Sequence, residues 1–177
     1  MRIVDQAAQR LAGLHWLAYL LTGNRDVSVD VAIESVDFED EDNPSFSAWM
    51  DAWSRRVVIA KALAAIRREL AVSHERMKSA RVGKTVLPGR DWVLGPSVGK
   101  AGIEKALLAL DVFPRAALVL TVLEGMAVAD AAVLLDGDTE EVLKARAIGL
   151  RELTVNLARP DGDRRQPSGA GIPQWAC

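Results

Sequence analysis

The sequence predicts an all-α protein, and three observations carry that prediction. Apolar residues recur at i, i+3, i+4 and i+7, the spacing that gathers side chains on one face of a helix. Glycine, proline and asparagine stand between these stripes at helix-length intervals. No segment alternates polar and apolar residues as a half-buried strand does, and no internal repeat is present. The breakers divide the 177 residues into two small helical domains, 1–80 and 103–159, joined by a Gly/Pro-rich linker at 81–102 and followed by a tail at 160–177.

The first helix follows from Val4, Ala7, Ala8, Leu11, Leu14, Ala18 and Leu21, which share one face. Thr22-Gly23-Asn24 ends it, because glycine takes the left-handed conformation at a helix C-terminus without steric cost. A short second helix is expected over Ser28 to Val36. Four adjacent carboxylates, Glu39 to Asp42, repel one another ahead of Asn43-Pro44 and mark a loop, part of a longer acidic stretch from Asp37. Ser45 or Ser47 then caps a long helix reaching about Ala71. Its apolar face is expected to hold Trp49, Ala52, Trp53, Val57, Ala60, Leu63 and Ala64, with Arg55, Arg56, Lys61, Arg67 and Arg68 forming a basic flank. Trp49 and Trp53 fit core packing at their i, i+4 spacing, and stacking on unpaired bases is the alternative.

The stretch 81–102 carries Gly83, Pro88-Gly89, Gly95-Pro96, Gly99 and Gly102, with Trp92-Val93-Leu94 as a segment able to dock. From Leu110 to Leu153 the pattern is an apolar helix carrying Glu124-Gly125, a short helix, a polar turn and a longer helix, which reads as a helix-turn-helix. Ala132 is small where two helices would cross, Val128, Leu135 and Val142 would close the core between them, and Thr139 before Glu140-Glu141 reads as an N-cap. The tail is rich in Pro, Gly and Asp and contains the lone Trp175.

Composition narrows the function. Half the residues are hydrophobic, but no apolar run is long enough to span a bilayer and the N-terminus lacks a secretory pattern, so a cytoplasmic protein is expected. The only cysteine is Cys177, and His15 and His74 lie far apart, which leaves no disulfide framework, metal motif or Cys–His pair. Both histidines read as structural. Gly95 to Lys100 lacks the spacing of a phosphate loop, and no nucleophile–base set emerges, so neither enzyme activity nor a cofactor is expected. The net charge of −2 provides no global basic excess for binding nucleic acid.

Leu110 to Leu120, followed by Glu124-Gly125, resembles region four of bacterial RNA polymerase sigma factors of the extracytoplasmic-function group. Asp130-Ala131-Ala132 stands where that family has E-I-A, Leu135 holds its leucine, Asp136 replaces its glycine, and Val142 and Leu153 fit the ends of its recognition helix. Leu21 to Arg25 and Asp30 to Val36 resemble the family's region-two sequence L-T-G-N-R, then D-L-V-Q-E-T-F, without a gap, and Trp49 with Arg55-Arg56 resembles the later region-two helix. The two matches occur in the family's order. The resemblance implies a transcription initiation factor that docks Asp30 and Glu34 on core RNA polymerase, turns Arg55, Arg56 and Lys61 to the melted minus-ten strand, and sets Lys144, Arg146 and Arg151 against promoter duplex.

Departures from the family open a second reading. Ile33 replaces a glutamine, and Leu143, Ala145 and Ile148 stand where the recognition helix usually carries Lys and Arg. A cation displaced by one residue is rotated by about 100° around the helix, so Lys144, Arg146 and Arg151 cannot take over the same contacts. Over 105–158 acidic side chains outnumber basic ones eight to five. The alternative is therefore a sigma-like adaptor that binds an anti-sigma factor or another regulator through protein contacts and has little affinity for DNA.

Overall fold

The computed structural model describes residues 2–35, 44–79 and 99–158, and every regular element among them is helical. The acidic loop, the segment around Trp92, Gly95 to Ser97 and the tail with Trp175 and Cys177 lie outside those residues. Helix α1 spans Arg2–Thr22 and buries Leu14, Leu17, Ala18, Leu20 and Leu21. It stops at Gly23, which adopts φ +68° and donates its N–H to Tyr19 O at 2.8 Å. Asn24 is at once an N-cap: its Oδ1 accepts from Asp26 N and Val27 N at 3.0 and 3.2 Å. Helix α2 therefore begins at Arg25 and ends at Ile33, three residues earlier at each end than the sequence predicts.

Helix α3 runs over Pro44–Ala65 and α4 over Arg67–Ser79. The hydrogen bonds Ile66 N to Ala62 O and Leu70 N to Ile66 O carry the ladder across the junction, so α3 and α4 act as one rod with a joint. The buried face of α3 is Ser54, Val58, Ile59, Ala62 and Leu63. This corrects the expected stripe: Trp49 and Trp53 are 58% and 50% exposed, and Ala52, Ala60 and Ala64 are exposed with them. The helix is apolar around most of its circumference, so periodicity selects no unique face. Close packing on α1 and α2 favours the smaller side chains.

Helix α5 covers Lys100–Leu108 and so takes Lys100 to Gly102 out of the stretch read as linker. Helix α6, Val112–Leu118, is capped by Asp111, whose Oδ1 accepts from Val112 N at 2.9 Å, and a π-helical turn follows over Val119–Leu123. Every side chain from Phe113 to Leu120 is buried. Helix α7, Val128–Leu134, ends in two bonds, Asp136 N to Val133 O and Gly137 N to Ala132 O, with Asp136 at φ +54°. That is the Schellman arrangement with aspartate in the place glycine prefers.

Helix α8, Thr139–Ala158, starts from a reciprocal box: Asp138 Oδ1 accepts from Glu141 N at 2.7 Å, and Glu141 Oε2 accepts from Asp138 N at 3.0 Å. The cap is thus Asp138 rather than Thr139, because Asp138 has its reciprocal carboxylate three residues ahead. Leu135 and Val142 are buried and Val128 packs on the same core, as their spacing predicts. Val142, Ala145 and Gly149 form the buried face of α8. At Gly149 an added Cβ would stand 3.0 Å from Pro114 O and 3.2 Å from a Leu118 methyl, so this close crossing with α6 favours glycine over any residue with a Cβ.

A continuous apolar cluster runs from α1 and α3 through α4 into α6, α7 and α8. Polar contacts cross the same boundary. Trp16 Nε1 donates to Glu104 Oε2 at 3.0 Å while Lys100 lies over the Trp16 ring, and Phe113 N donates to the buried Ser73 Oγ at 2.8 Å. The buried Arg115 guanidinium reaches Leu21 O at 3.2 Å and Leu108 O at 3.3 Å, closing the carbonyl ends of α1 and α5 together.

Candidate functional site

The outer face of α2 carries the sequence-predicted polymerase contacts. Asp30 and Glu34 are exposed, and between them the turn also exposes Val29 at 43% and Ile33 at 58%. With Asp26 they make a short ridge, apolar along its crest and acidic along one edge. These two branched aliphatic side chains, one turn apart on a nine-residue helix, lie outside the apolar cluster of the described residues. Glu34 is not wholly available, since Lys61 Nζ donates to its Oε2 at 2.7 Å and to its main-chain oxygen at 3.3 Å. The residues read from sequence as a polymerase contact and a strand contact therefore pair with each other.

The outer face of α3 holds a stacked pair of indoles, Trp49 and Trp53, with centroids 6.0 Å apart and planes 12° apart. Arg56 is exposed on the same face, one turn along from Trp53. Exposed aromatic planes beside a cation are the elements of a single-strand stacking surface. Arg55 is directed elsewhere. Its Nε donates to Glu124 Oε2 at 2.9 Å and its Nη2 bonds the other oxygen, a bidentate clamp on a carboxylate that is nearly buried. That hydrogen bond to Glu124 raises the Arg55 guanidinium further above its ordinary range. A cleft of about 770 Å³ lies over this pair, between Arg56 and Ile59 on one side and Met126, Asp130, Val133 and Leu134 on the other.

Glu124 and Gly125 now have separate physical reasons. Gly125 adopts φ +63° as the chain leaves the π-helical turn, where Glu124 N donates to Val119 O at 3.0 Å. Glu124 holds α3 by its Arg55. Nothing in the sequence around Arg55 announces that pairing, which spans 69 positions.

Helix α8 is tied to α4 at its first turn. Glu141 Oε2 lies 3.0 Å from His74 Nε2, a close carboxylate–imidazole contact, and its Oε1 lies 3.5 Å from Lys78 Nζ. The His74 ring is buried and stacks on Phe113 with centroids 4.1 Å apart and planes 1° apart, a packing role. Glu141 is held below its ordinary carboxylate range, first by the Asp138 N–H and then by His74 and Lys78. Of the three cations assigned to promoter duplex, Lys144 donates to Lys78 O at 3.2 Å. Arg146 and Arg151 are half-exposed and make no ion pair or hydrogen bond among the described residues.

The outward stripe of α8 is Leu143, Ala147 and Leu150, with the two leucines 45% and 44% exposed. It follows from i, i+4, i+7 spacing, yet it runs beside the buried Val142–Ala145–Gly149 stripe and is masked by it in a one-dimensional reading. Among the described residues no group of three or more His, Cys, Asp and Glu could hold a metal ion, and no helix is long and apolar enough to cross a membrane. No protein-family model, curated protein or solved structure matches the chain.

Proposed function

We propose that the chain is a sigma-like transcription factor that binds core RNA polymerase through α2. It would be built from two helical units packed against each other, the second containing a helix-turn-helix formed by α7 and α8. The observation that carries the reading is the outer face of α2, where Val29 and Ile33 stand exposed beside Asp26 and Asp30 at the position that resembles the family's polymerase-docking helix. An exposed apolar crest with one acidic edge is suited to a basic, partly apolar helical surface on a large partner. The stacked Trp49–Trp53 pair and Arg56 support a strand-facing role for α3.

The test is association with purified core polymerase, followed by transcription from a promoter library. Ile33→Asp and Asp30→Lys are expected to abolish association, whereas Arg68→Ala, on an exposed part of α4, leaves it intact. A wild-type chain that does not associate with core polymerase overturns the reading.

One observation favours the adaptor as a second reading. A recognition helix reads base edges with donors and acceptors near its N-terminus. Here the first turn holds Glu140 and Glu141, and the outward positions beyond it are Leu143, Ala147 and Leu150. Under this reading the chain binds an anti-sigma factor or another regulator, and duplex affinity is weak with a shallow salt slope. Lys144→Ala with Arg146→Ala separates the two: lower affinity for duplex supports promoter binding, and unchanged affinity removes those side chains from it.

A further inference from the structure

Two exposed helical ridges on this chain carry unlike charges beside their apolar side chains, Arg146 and Arg151 on α8, with Glu140 at its start, and Asp26 and Asp30 on α2. On α8, Leu143, Ala147 and Leu150 form an apolar line about 10 Å long, at about 1.5 Å of rise per residue. At about 100° per residue, Arg146 falls on one side of that line and Arg151 on the other. Both guanidinium groups are half-exposed and engage no carboxylate among the described residues. On α2, Val29 and Ile33 form the apolar line, and Asp26 and Asp30 are exposed along its edge. Within one chain the ridges face away from the core: α2 packs on α1 and α3, and α8 packs on α5, α6 and α7.

We propose that the α8 ridge of one molecule binds the α2 ridge of a second copy, head to tail. The leucines of α8 would pack between Val29 and Ile33 as helix ridges do, and Arg146 or Arg151 would meet Asp26 and Asp30. DNA is the weaker occupant of α8. Leucine and alanine present no donor to a base edge, and Glu140 repels phosphate at the end of the helix that would enter the groove. Because the two surfaces differ, the contact is heterologous and leaves one ridge of each type free at the ends. Two short helix faces lie at the low end of interface sizes, so the association is weak and concentration-dependent. Its consequence rests on the function proposed above: self-association covers α2 and competes with polymerase.

The test uses the full chain and light scattering or sedimentation over a wide concentration range. The wild-type average mass is expected to rise with concentration and to fall back in high salt. The variants Arg146→Glu/Arg151→Glu and Asp26→Lys/Asp30→Lys should each stay monomeric, since each then opposes like charges. Their equimolar mixture should associate again, because every cross-contact pairs opposite charges. Circular dichroism establishes that both variants are folded. A wild-type chain still monomeric at on the order of 1 mM, association indifferent to either reversal, or a mixture of folded variants that stays monomeric overturns the proposal. Absence of polymerase binding in the wild type with intact self-association removes only the function reading.

Discussion

Arg115 brings the ends of α1 and α5 to one buried guanidinium. Its buried guanidinium faces main-chain oxygens rather than a carboxylate, and burial lowers it from its ordinary value, partly offset by Asp111. Arginine tolerates this because its charge is delocalised and its titration range lies far above neutrality. Replacing it with Met removes the donors and leaves the helix-end carbonyls buried without partners. The expected loss is about 2–4 kcal/mol in urea unfolding. Asp136 and Gly149 give opposite signs at single positions. Asp136→Gly relieves a left-handed aspartate and should stabilise by about 0.5–1 kcal/mol. Gly149→Ala pushes a methyl into Pro114 O and should destabilise by about 1–3 kcal/mol. Thermal melting of the two variants checks both signs. Gly23 was readable from sequence because a left-handed turn at a helix end is local chemistry, whereas Asn24 was read only as part of that stop, and its capping of α2 put the helix start three residues earlier than expected. Arg115 was not readable, since its acceptors come from Leu21 and Leu108, and no local signal separates a buried arginine from a surface one.

At the scale of elements, the helices whose apolar side chains fall on one face were legible and those apolar all round were not. The core positions Leu135 and Val142 followed from the helix-turn-helix pattern. Helix α3 has apolar groups on several faces, and only its packing on α1 decided that Trp49 and Trp53 face outward. The charged clusters were legible as charges but not as pairs: Arg55 with Glu124 and Lys61 with Glu34 depend on tertiary placement. The first turn of α8 carries a pH dependence with a definite sign. Glu141 has a folded pKa below its ordinary 4.5, so its contribution is fully present above that value and is lost as pH falls through the lower folded one. Acidification should therefore lower the urea midpoint of the wild type over that window. Glu141→Gln should show a flatter profile there, and an identical slope in the two proteins would contradict the assignment.

For the whole molecule, the shared core makes the two halves one cooperative unit. Leu20, Leu21 and Val58 belong to the same apolar cluster as Phe113, Leu118 and Leu120. Fluorescence and circular dichroism should consequently report a single urea transition with coincident midpoints, and two resolved transitions would contradict a common core. Either half expressed alone would present the apolar surface that its partner covers. Arg55 and Glu124 add a strut between α3, which carries the exposed Trp49–Trp53 pair, and the end of the π-helical turn. That strut depends on chain length. The π-helical turn at Val119–Leu123 accommodates one more residue than an α-helical turn of the same rise. Deleting any one of these five positions would tighten the backbone into regular winding and swing the following residues by about 100°. Glu124 would then leave the guanidinium, and descendants of this chain can shorten the segment only by giving up its brace to α3.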